Sequence, residues 1–289
     1  MMSAVLSNPG HPKYGVATIP FPIPRDQYTY CMDLLEALEV GDTVKADCKV
    51  VEFDSVYTVL KRMKALTVNV EELNYLVKRL ESFDTGEAAQ FQAMAHKLEL
   101  FELKDLINLT FCCQQATVIT DFSDLAAVGR DHYMNLHGGS AKTEELDALD
   151  GKEIARQLIE NGGGTITPYG VVYDNGMKLE PVYDGRFFPC YYYEPNAITV
   201  AVTSKAEPED TEHITWLFLP MLQEEIDRAI LRGGITDSED VRLRLEDSQL
   251  PNEVDVLLDM EYETLSDLNE LAAATDGLSK ADMEKLGAV

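Results

Sequence analysis

Basic residues are scarce in this chain of 289 residues: 24 Lys and Arg stand against 51 Asp and Glu, a formal net charge of -27. A surface this negative repels phosphate, so direct nucleic-acid binding is not expected. The histidines His11, His96, His132, His137 and His213 are scattered, with no His-x-x-x-His or His-Glu-x-x-His spacing to hold a metal. The five cysteines, Cys31, Cys48, Cys112, Cys113 and Cys190, match no zinc spacing. Cys112-Cys113 lies in an apolar stretch and reads as buried free thiols, which points to a reducing cytoplasm. Apolar runs are too short to span a membrane, and the segment to Tyr14 has neither the basic nor the apolar region of a signal peptide. Gly162-Gly163-Gly164 lacks the Lys-Ser/Thr of a phosphate loop and reads as a turn. There is no Gly-x-Ser-x-Gly elbow. Cys113 has no evident His partner, and among 51 acids a close carboxylate pair is inevitable and carries no information. The expectation is a non-enzyme without metal or cofactor.

What is present is a core and a charge pattern. Hydrophobic residues make up 45% of the chain, which excludes disorder. The first 183 residues carry 27 acids and 16 bases, the last 106 carry 24 and 8. Within Glu207 to Glu270, 19 acids are interleaved with Trp216, Leu217, Phe218, Ile226, Ile230, Leu243 and Leu245. A disordered acidic tail lacks such residues, so these carboxylates decorate a folded domain.

Periodicity predicts a strand at 16–23, a helix at 26–38 and a strand alternating through Val44, Ala46, Cys48 and Val50. Leu73, Leu76, Val77 and Leu80 predict one helix. Phe91, Met94, Ala95 and Leu98 predict another, after a turn at Asp84-Thr85-Gly86. A helix over 105–113, a short strand at 116–119 and a helix over 123–134 with Ser123 as N-cap follow. A single helix is expected over 143–159, then a hairpin pairing 165–167 with 170–173. Residues 181–195 read as a linker. Beyond it lie strands at 198–202, 214–218 and 241–246, and helices at 223–231 and 265–274. Phe21-Pro22-Ile23 returns as Leu219-Pro220-Met221, and Glu72-Leu73-Asn74-Tyr75-Leu76 as Asp267-Leu268-Asn269-Glu270-Leu271, so the second half repeats a strand-helix-strand unit.

The acid spacing is the positive functional signal. Duplex DNA carries one charge per ~1.7 Å of axis, so a net -27 equals roughly 46 Å of duplex. Solubility alone needs a net charge of only about 2 to 8 in a small domain.

These segments, in their order, resemble the ArdA antirestriction family. The resemblance runs through Phe21-Pro22-Ile23, Val70 to Leu76 and Ile119-Thr120-Asp121-Phe122-Ser123-Asp124-Leu125. It closes on Leu146 to Leu158, which is similar to the family's antirestriction motif, and on the hairpin to Tyr173. Two departures stand out: Asp147 and Leu149 occupy places where the family commonly has tyrosine, and 181–289 exceeds a typical member. The resemblance implies an α+β chain, elongated and multi-domain, of small sheet-plus-helix units around a helical middle domain. Its parts would be an N-terminal domain to residue 69, a helical domain over 70–120, an antirestriction-like domain over 121–183 and an acidic repeat over 184–289. It further implies a cytoplasmic homodimer that mimics DNA and occupies the DNA groove of a type I restriction-modification enzyme. The partner-binding acids would be Asp121, Asp124, Asp147, Asp150, Glu153, Glu224, Glu225, Asp237, Glu239 and Asp240, with Ile154 and Leu158 at a dimer interface. Read without the resemblance, the residues also fit an acidic, non-catalytic adaptor that docks on a cellular protein, or an enzyme whose site has no sequence signature.

Overall fold

The computed structural model describes residues 2–206 and 210–286. Helices (42%) mix with small antiparallel sheets (18%) in an α+β chain. It divides into two compact units: one holds the chain up to Pro24, Cys31–Gly41 and Ala46–Val182, the other Arg25–Tyr30, Asp42–Lys45 and the chain from Tyr183. The sequence-based boundaries at 69/70 and 120/121 fall inside the first unit.

The chain starts with a strand that periodicity missed. β1 (Met2–Ser7) is the middle of a four-stranded sheet, between β2 (Ala17–Phe21) and β3 (Cys48–Asp54), with β4 (Thr67–Val68) beyond β3. Ala4 and Leu6 are fully buried, but a single six-residue run is too short for alternation to stand out, even before the turn residues Asn8-Pro9-Gly10. Val44 and Ala46 lie outside β3, whose pairing starts at Cys48. Helix α1 (Tyr28–Ala37) ends near Gly41, whose φ of 98° is open to glycine and costly for other residues. Helix α2 (Val70–Glu81) starts where the Asn69 side chain accepts the Glu72 N–H at 3.0 Å, and it buries Leu73, Leu76, Val77 and Leu80.

Asp84 is the cap of α3 (Thr85–Lys97), so the expected turn is the first step of a helix. Its carboxylate accepts the Glu87 N–H at 2.8 Å, and Glu87 accepts the Asp84 N–H at 3.1 Å. Helix α4 (Leu103–Leu109) is shorter than its apolar run, because Cys113–Gln115 tightens into a 3-10 turn. Strand β5 (Thr117–Ile119) leads to α5 (Leu125–Leu136), capped by Asp124. The expected cap Ser123 instead donates its hydroxyl to Asp121 at 2.8 Å. Likewise, the helix expected over 143–159 is two helices, α6 (Thr143–Ala148) and α7 (Gly151–Asn161), because Asp150 caps the second. Strands β6 (Thr165–Thr167) and β7 (Gly170–Tyr173) form the hairpin, with β7 central in the order β5-β7-β6. Within this unit Lys97 Nζ donates to Asp174 at 2.6 Å, tying α3 to the end of the hairpin.

The second unit contains β8 (Ile198–Ser204), β9 (Thr215–Leu219), α8 (Gln223–Arg232), β10 (Val241–Ser248), α9 (Asn252–Asp255), α10 (Leu265–Thr275) and α11 (Lys280–Leu286). Residues 181–195 form no regular element, yet from Tyr183 onward they are tied into this unit. Tyr183 is fully buried, Arg186 Nε donates to the Arg232 carbonyl at 2.8 Å, and Arg232 Nε donates to the Arg186 carbonyl at 2.8 Å.

The internal repeat holds in three dimensions and is longer than the sequence indicates, beginning at Met2. The order β10-β8-β9 matches β3-β1-β2, antiparallel throughout. Pairing from Met2↔Phe21 to Leu6↔Ala17 recurs residue for residue from Ile198↔Leu219 to Val202↔Thr215. Both Phe21-Pro22 and Leu219-Pro220 are cis. The Leu-Asn match is a bracket: Asn74 Oδ1 accepts the Ile23 N–H at 2.8 Å, and Asn269 Oδ1 accepts the Met221 N–H at 2.8 Å. Asn269 Nδ2 also donates to the Met221 carbonyl at 2.9 Å. Each Asn joins a later helix of its copy, α2 or α10, to the chain just after the second strand. Replacing Asn74 by Ala orphans a buried N–H and is expected to cost about 1 to 3 kcal/mol, measured by urea unfolding. A loss near zero would show that the bracket is incidental.

Candidate functional site

The acids are distributed very unequally between the two copies of one fold. Residues 2–81 carry 11 acids and 9 bases, a net -2. Residues 198–276 carry 20 acids and 5 bases, a net -15, on the same strand order. Folding of this unit therefore does not require the acids. Among the described residues no Asp or Glu is buried, and the one buried charge is Arg232. Its guanidinium bonds the Tyr183 hydroxyl and the Gly185 carbonyl, and lies 4.4 Å over the Phe188 ring.

The structure joins some of the sequence-derived acids and separates others. Asp121 and Asp124 precede α5, and Asp150 and Glu153 open α7. The two helix starts meet, since a Cβ on Gly151 would lie 2.3 Å from the Ala126 carbonyl oxygen. Several of these exposed carboxylates are held rigidly. Asp124 accepts the Ala126 and Ala127 N–H groups at 3.1 and 3.0 Å, and Asp150 accepts the Glu153 N–H at 3.1 Å. The Ser123 N–H and hydroxyl hold the Asp121 carboxyl below the ordinary carboxylate range. Glu153 receives Arg156 at 3.2 Å, and Asp147 is exposed on α6.

The other acids belong to the second unit. Glu224 and Glu225 lie half-buried in the first turn of α8, and Glu225 accepts the Leu222 N–H at 3.1 Å. Asp237, Glu239 and Asp240 are exposed on the turn before β10, where Asp237 accepts the Glu239 N–H at 2.9 Å. An acid that caps a helix or turn is a charge with a fixed position. It loses little freedom when a cationic surface meets it.

Leu158 packs against Ile119 and Tyr173 in a small core and is 8% exposed, so its side chain is engaged within the chain. Ile154 is half-buried on the same helix, while Ile159 and Ile166 are exposed.

Among the described residues, no group of three or more His, Cys, Asp or Glu side chains is placed to hold a metal ion, and no helix is long and apolar enough to cross a membrane. Cys31, Cys48, Cys112 and Cys113 are buried, and Cys190 is exposed. Burial pushes the Cys113 thiol far up, away from the thiolate a nucleophile needs. A thiol reagent at pH 8 is expected to modify Cys190 first and the other four only on unfolding. Rapid reaction of a second thiol in the folded protein would contradict this packing.

The sequence did not single out Val256, Leu257 and Tyr262, which are 78 to 80% exposed between β10 and α10. Compared with known proteins, the chain matches no family model and no curated protein.

Proposed function

We propose that the protein is a non-catalytic, acidic DNA mimic of the antirestriction type, which occupies the DNA groove of a type I restriction-modification enzyme. The observation that carries this reading is the contrast between the two copies: one fold at net -2 and again at net -15, with no described acid buried. Burying a charge is costly, so exposure of acids is ordinary. Their concentration in one copy is not, because the other copy folds without it. A basic groove that normally releases counterions from DNA gains the same entropy from a protein carrying a comparable density of fixed carboxylates.

The test is competition. The purified protein should displace duplex DNA from a type I enzyme, and the logarithm of its affinity should fall linearly with the logarithm of salt concentration. A flat salt response would favour the acidic adaptor that docks through apolar contacts.

Self-association belongs to the proposal as a homodimer. With Leu158 packed inward, the apolar surface left in this region is the exposed part of Ile154 together with Ile159 and Ile166. Replacing Ile159 and Ile166 by Ser should shift the wild-type dimer to monomer in sedimentation. A wild-type monomer at micromolar concentration would remove the dimer from the proposal.

A further inference from the structure

We infer that the connection between β10 and α10, residues 249–264, is a docking element for a basic, amphipathic segment of a protein partner. The comparison that supports it is internal. The equivalent connection of the first copy, 55–69, carries Lys61, Arg62 and Lys64 and no acid. It turns Tyr57, Val59, Leu60 and Met63 into the core and supplies β4, which covers β3. Of its apolar side chains only Val56 is as exposed as those described next.

The second connection reverses the charge and leaves more apolar surface exposed. It carries Glu253, Asp255, Asp259, Glu261 and Glu263 and no base. It adds no strand, so β10 ends the sheet as described. Leu250 is buried, and Val254, Leu258 and Met260 pack on the core, so the segment is anchored. The Val256 N–H bonds the Asn252 carbonyl at 3.1 Å and the Tyr262 N–H bonds the Asp259 carbonyl at 2.8 Å, which closes a turn before each exposed group. Val256, Leu257 and Tyr262 then stand in water at 79, 78 and 80% exposure, among the five acids.

The charge selects the occupant. A second copy of this chain would bring five acids against five, and a nucleic acid would bring phosphate; both are repelled. A segment with Lys or Arg beside apolar side chains satisfies both features. Its cations meet the carboxylates, and its apolar face and the methylene stems of its Lys and Arg cover Val256, Leu257 and Tyr262. The inference deepens the proposed function, resting on it for a basic protein partner. It adds an apolar component that a pure phosphate mimic lacks.

The experiment involves no restriction enzyme, so its outcome and that of the competition test are separate. Two synthetic peptides of about five helical turns, equal in Lys number, are titrated calorimetrically into the full chain. One has a Leu face, the other Ser at those positions. The Leu peptide is expected to bind about tenfold tighter or more, a preference that persists at roughly 0.3 M salt because apolar burial is unscreened. The triple variant V256S/L257S/Y262S, with an unchanged thermal melt, should bind both peptides alike. Equal binding of the two peptides by the wild type would overturn the inference, as would a preference that survives in the triple variant. Self-association of the wild type that the triple variant abolishes would assign the surface to a second copy and overturn it too.

Discussion

If the protein acts as the DNA mimic proposed above, neutralising Glu224, Glu225, Asp237, Glu239 and Asp240 together, each to its amide, is expected to weaken inhibition of a type I enzyme by about 100-fold at moderate salt. The amides keep the acceptor oxygens that hold the starts of α8 and of the turn before β10, so the fold is retained while five charges leave. The same treatment of five exposed acids of the first copy, Asp26, Asp33, Glu36, Glu52 and Asp54, should change inhibition by less than about threefold, since that copy is already near neutral. Any single neutralisation should matter little, because many groups share the field. The salt dependence of the first variant should also flatten, as each lost contact removes about 0.9 from the log-log slope. Equal losses from the two blocks would mean that bulk charge, and not its placement in the second copy, sets the affinity.

The largest structural effect is expected at the crossing of α5 and α7. A Cβ on Gly129 would lie 1.8 Å from the Gly151 carbonyl oxygen, and one on Gly151 would lie 2.3 Å from that of Ala126. The backbones touch there because both contact residues lack side chains. Gly129→Ala gains about 1 kcal/mol of helix propensity. The clash opposes it by more, because relief means moving two helices apart over a core of Ile119, Leu158 and Tyr173. A net loss of about 2 to 4 kcal/mol is expected in urea unfolding. Stabilisation by the propensity term alone would show that the helices do not approach so closely in solution. Parting the helices also separates the acidic starts at Asp124 and Asp150, so inhibition should fall with stability.

Elements that depend on local pattern were readable in the chain. The stripe of α2 and the alternation of 241–246 announce themselves because each buries one face at a fixed period, and 198–202 does so as a run buried on both faces. The Leu-Asn repeat was visible as letters, but its meaning was not. Only folding brings Asn74 to Ile23 and Asn269 to Met221, across about fifty residues each. The break between α6 and α7 escaped the apolar count because a capping Asp and a Gly at a helix crossing leave hydrophobic periodicity intact. The resemblance places Leu158 at or near a dimer interface, and only the folded chain shows it packed on Ile119 and Tyr173, since an amphipathic face does not say what covers it.

The amino-acid sequence by itself determined the net charge, the absence of zinc and phosphate-loop motifs, the α+β mixture and the existence of a repeat. These follow from composition and from patterns within a few residues. Tertiary structure alone decided that the repeat starts at Met2, that one fold carries -2 in one copy and -15 in the other, and that equivalent connections leave one apolar side chain almost fully in water in the first and three in the second. Equivalence and exposure are relations between residues distant in sequence, and they acquire values only when strand pairing sets which positions correspond and which faces are covered.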